Sequence, residues 1–103
     1  MDAETQALAQ RVVEASQRVL ALAEEGDWDR VADAARERDR LIHAFFGRER
    51  NDGGDDAQVV ALLNRVFELN RQTERLVRQG RRAIQAELRK IREGRNAVAA
   101  YRQ

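Results

Sequence analysis

No proline occurs anywhere in the 103 residues. Proline is the commonest helix breaker, because it has no N–H to donate and its ring clashes with the preceding turn. Without it, a helix stops only where glycine, a polar cluster or a tertiary contact stops it. The apolar residues recur at spacings of three and four and show no period-2 alternation, so no segment reads as a strand. Ala, Leu, Arg, Glu and Gln are abundant, and all are good helix formers. The expected fold is therefore all-α, a single domain over 1–103 with one modest core.

Glycines and caps place the elements. Asp2 is a plausible N-cap, with Glu4 in the first turn. Leu8, Val12, Ala15, Val19 and Leu22 then follow at a/d spacing. Val13 and Leu20 widen that stripe, so the first helix should touch two neighbours. Gly26 ends it, and Asp27 caps a second helix that begins at Trp28. Trp28, Val31, Ala35, Leu41, Ile42, Phe45 and Phe46 form the next apolar face, with the charged run ARERDR read as solvated. Gly47 is expected to stop this helix and to open a loop, GRERNDGGD, over 47–55. Asp55 and Gln58 resemble a capping box for a third helix.

The third segment keeps helical spacing from Val59 to Tyr101, interrupted by the polar pair Gln72 and Thr73. Gly80 need not break it, whereas Gly94 reads as an end or a kink. The expected helices are about 2–25, 27–46 and 56–93, with a short tail helix over 95–102. This is an antiparallel helical bundle, a short hairpin plus one long third helix. At 1.5 Å per residue the third helix outruns the hairpin by about 20 Å. Trp28 should pack near Gly80. Leu76, Val77, Ile84, Leu88, Ile91, Val98 and Tyr101 make the candidate partner-binding stripe. The last members lie on the overhang, which calls for a partner, a second copy of the chain or a fold-back of the tail.

Catalysis finds little footing. The absence of cysteine rules out disulfides, thiolate metal sites and Cys nucleophiles. His43 is the single histidine and sits beside apolar Ile42, so it reads as a surface packing residue. Glu24, Glu25, Asp27 and Asp29 cluster at the hairpin turn without the ligand spacing of a calcium loop, and capping explains them. No cofactor or metal is expected. Small helical chorismate mutases have this length, but their long helix comes first, and no matching constellation of polar residues occurs here. The N-terminus is acidic and polar, unlike a signal peptide, and no apolar run can span a bilayer.

Charge is balanced overall but not along the chain. Residues 1–70 carry 9 Arg and 15 Asp/Glu, and residues 71–103 carry 10 Lys/Arg and 3 Asp/Glu. The basic half keeps an apolar face amid its arginines, the pattern of an amphipathic helix rather than a nucleic-acid arm.

Two stretches carry a resemblance. LALAEEGDWDRVADAARERDRLI, with Leu22, Ala23, Gly26, Asp27, Trp28 and Asp29 at its turn, resembles the hairpin of FliT-type flagellar export chaperones. LLNRVFELNRQTERLVRQGRRAIQAELRKIREGRNAVAAY, ending in Ala100 and Tyr101, is similar to that family's long third helix. The resemblance implies a cytoplasmic chaperone that holds the C-terminal segment of the flagellar filament-cap protein before type III export. It also implies contacts with the export ATPase complex and the export gate, and in enteric bacteria inhibition of the flagellar master regulator. Longer members continue into a fourth helix that masks the binding surface. This sequence stops two residues after Tyr101, so neither that masking nor regulator binding is expected of it. The alternatives are a related chaperone for hook-junction proteins or flagellin, and a structural coiled-coil protein that acts by forming a homodimer.

Overall fold

The computed structural model describes the backbone of residues 2–52 and 56–102. It has three helices: α1 (Ala3–Glu24), α2 (Trp28–Asp52) and α3 (Asp56–Tyr101). Asp2 caps α1, accepting the Thr5 backbone N–H at Oδ1 over 2.7 Å. Gly26 takes a left-handed φ of 73° at the other end. There Gly26 N–H donates to the Ala23 carbonyl and Asp27 N–H to the Leu22 carbonyl, the paired closure of a Schellman motif. Asp27 in turn accepts from the Arg30 amide. The turn between α1 and α2 is thus built from the residues that the sequence marks for it.

Both apolar flanks of α1 are used. Ala9, Val12 and Val13 pack with Leu41 and Phe45 of α2 and with Val59 and Val66 of α3. Val19, Leu22 and Ala23 pack with Val31 and Ala34, joined at the margin by Trp28 and Leu76. The α2 chain returns along α1, so that Arg48 near its end pairs with Glu4 at 2.6 Å. α3 runs from the Phe45 end of this hairpin to the Trp28 end. Among the described residues, α1 packs on both other helices, while no Cα of α2 comes within 8 Å of one in α3.

Two helix ends differ from the sequence expectation. Gly47 does not stop α2, which continues to Asp52. An interior glycine costs about 1 kcal/mol against alanine. The added turn is offset by Arg48, which reaches Asp2 and Glu4 and donates to Thr5 Oγ1. The expected loop over 47–55 is therefore helical through 52, and Gly53, Gly54 and Asp55, with the capping box at Asp55, lie outside the described residues. Gly94 neither ends nor kinks α3. The helix is continuous to Tyr101, so there is no separate tail helix and no fold-back. Outside its own stretch of helix, no described residue comes within 4 Å of a Cβ placed at Gly94, and the residues around it, lacking proline, propagate the helix unaided.

Candidate protein-binding surface on the third helix

The 46 residues of α3 span about 69 Å, close to the 73 Å long axis of the molecule. The hairpin covers its first half. Val59 and Val66 are buried there, and Thr73 is buried with its hydroxyl donating to the Leu69 carbonyl at 3.0 Å. This back-bonding satisfies the polar layer that interrupts the stripe. At Gly80 the hairpin ends: a Cβ there would lie 2.6 Å from Cζ2 of Trp28. Every described residue from 81 onward is exposed.

The apolar face does not end with the hairpin. At 3.6 residues per turn, Val66, Val77, Ile84, Leu88, Ile91 and Val98 fall on one stripe. The face that meets the hairpin thus continues for about 30 Å past Gly80, with none of the other described elements packed against it. Ile84, Leu88, Ile91 and Val98 are each about half exposed.

The candidate residues divide into three groups. Leu76 and Val77 are half-buried on the body, Leu76 against the Trp28 cluster and Val77 on a groove wall. Ile84 sits at the end of the hairpin beside Trp28 and Gly80. Leu88, Ile91 and Val98 form the free stripe. Tyr101 is 94% exposed, and helix geometry sets it about a quarter turn from the others.

The separation of α2 from α3 leaves a second feature. One hollow of about 380 Å³ is lined by Val31, Ala35 and Arg38 on α2 and by Asn70, Thr73 and Val77 on α3. A smaller one of about 90 Å³ lies among Ile42, Phe46, Leu63 and Phe67 and shares Asn70 with the first. Together they make a groove, bridged where Arg38 donates to Asn70 Oδ1 at 3.2 Å. Sequence reading missed this groove. Arg38 belongs to a run that reads as solvated, and its partner is 32 residues away. Phe67 is 61% exposed beside the groove.

Nothing in this surface resembles a reaction centre. Among the described residues no three His, Cys, Asp or Glu side chains are grouped to hold a metal ion, and no helix is long and apolar enough to cross a membrane. What the surface offers is apolar area beside arginines.

The family model for flagellar protein FliT matches residues 6–103. The chain belongs to the FliT family. FliT proteins are flagellar export chaperones that bind other flagellar proteins. The match runs over all three helices, including the overhang of α3. No curated protein and no solved structure matched the chain.

Proposed function

We propose that this chain is a cytoplasmic chaperone of flagellar type III export that holds the filament-cap protein and prevents its premature assembly. The observation that carries this reading is the unpartnered continuation of the α3 stripe through Ile84, Leu88, Ile91 and Val98. A chaperone without ATP must offer apolar surface that a client segment can occupy and leave. Burying four such side chains contributes about 1.5–3 kcal/mol each. Association costs of several kcal/mol then leave an affinity of about micromolar, weak enough for release at the export apparatus. Val77 and Ile84 would join the stripe to the α2–α3 groove, and Leu76 and Tyr101 would flank it. Contacts with the export ATPase complex and the export gate belong to the same proposal.

Co-purification from a motile bacterium tests it. Recovery of the cap subunit, lost when Ile91 is changed to Asp, is the expected result. Recovery of a hook-junction protein or flagellin instead would reassign the client. Recovery of the chain with only itself would make the stripe a dimer seam and overturn the chaperone reading.

A further inference from the structure

The seam on α3 is not apolar throughout. Between Ile91 and Val98 the position that keeps the spacing is Arg95. On the helix circumference Arg95 falls between Ile84 and Leu88, at the middle of the stripe. It is exposed, and none of the described carboxylates pairs with it. Any helix laid along this stripe must cover a guanidinium that never loses its charge. The flank on the groove side is basic as well. Arg38, Arg78 and Arg81 line the groove, where Glu74 is the one carboxylate, and Arg92 continues the same side along the overhang. Residues 81–102 hold seven Arg or Lys and two Glu.

Resting on the reading of α3 as a client-binding surface, we propose that the bound segment is an amphipathic helix with acidic flanks. It carries a carboxylate within its own apolar face opposite Arg95, and that pair fixes its register. A charge covered without a partner is costly, so an apolar or basic residue at that point is rejected. A single polar position in an apolar seam sets alignment in the same way in coiled coils. Two overhangs of this chain face each other with like charge, which disfavours a second copy as the occupant.

The test uses the full chain and three labelled synthetic peptides. They share one amphipathic helical design with Glu flanks and differ only in Glu, Leu or Lys at the central seam position. Fluorescence anisotropy should show the Glu peptide binding at least tenfold more tightly than the Lys peptide. The ratio should narrow as salt rises. Arg95→Glu should reverse that order, and Arg95→Leu should favour the Leu peptide, with helix content by circular dichroism unchanged in both. Equal affinity for the three peptides, no binding of any, or an unchanged order in Arg95→Glu overturns the proposal. So does sedimentation of the chain as a dimer closed through 81–102. The cap protein's C-terminal segment is titrated in parallel. If it binds while the peptides are not discriminated, the chaperone reading stands and this inference falls. If it fails to bind while the Glu peptide shows the Arg95 dependence, the inference stands and the choice of client falls.

Discussion

Gly80 sets two opposed effects against each other. Alanine would favour the helix by about 1 kcal/mol, but its Cβ would lie 2.6 Å from Cζ2 of Trp28. Overpacking costs about 1–3 kcal/mol, so Gly80→Ala should lose up to about 2 kcal/mol in urea melts and shift native Trp28 fluorescence to the red. Gly47→Ala is the control. Apart from its own stretch of helix, no described residue comes within 4 Å of a Cβ placed there, and it should gain about 0.5–1 kcal/mol. An equal gain at both glycines would show that the Trp28 contact is loose. Ser16 is fully buried, and its hydroxyl has no hydrogen-bond partner among the described residues. Ser16→Ala removes an unsatisfied group and should stabilise the protein by about 1 kcal/mol. A loss of stability by differential scanning calorimetry would mean the hydroxyl is satisfied in solution. Asp2 is the residue where pH acts on a cap. Side-chain and backbone hydrogen bonds with Thr5 hold its carboxyl below the ordinary 3.8, helped by Arg48. A depressed folded value gives stability that is present above the ordinary value and fades as pH falls through the lower one. The Thr5 amide shift in NMR should therefore titrate with a midpoint below 3.8; a midpoint at or above it would mean the cap is not formed.

The helices differ in what holds them. α1 is clamped on two sides, α2 on one, and α3 only as far as Gly80. Beyond that point its amides rest on intrahelical hydrogen bonds alone, without the tertiary packing that supplies most helical stability in proteins. Amide exchange should be slow from Val66 to about Val77 and should quicken within two turns after Gly80. Uniform protection to Val98 in the free chain would mean that the overhang is covered. This boundary was legible in the sequence, because Gly26 and Trp28 fix where the hairpin turns and the apolar period plainly outlasts it. The ends at Gly47 and Gly94 were not. A glycine in a helical pattern states a cost of about 1 kcal/mol, but not whether Arg48 will find Glu4 on another helix. The groove was illegible for a related reason. It exists because α2 and α3 both prefer α1, and Arg38, which bridges them to Asn70, looks like a solvated charge.

At the scale of the molecule, a body built on the hairpin carries a rod along one edge, giving extents of 73 × 20 × 20 Å. The two parts have separable duties. The body supplies stability through Phe45, Val19 and Val66, all nearly inaccessible. The rod contributes almost none of the core, so it can present apolar residues without putting the fold at risk. Substitutions at Ile91 and Val66 test this division, because the chemistry of the change is alike and only the place differs. Ile91 is 48% exposed on the rod, and Ile91→Asp should cost less than about 1 kcal/mol in urea melts, as surface changes usually do. Val66 is 4% exposed in the body. There the new carboxylate has no partner, and the penalty of several kcal/mol is of the order of the whole stability of a domain this small. Val66→Asp should therefore not fold. Client binding should run the other way, with folded Ile91→Asp losing tenfold or more. Raised salt adds a second axis: if the arginines beside the stripe share the work, binding of the unaltered chain weakens as screening increases but does not vanish. A large loss of stability in Ile91→Asp with client binding intact would mean that the rod belongs to the core and that the client sits elsewhere.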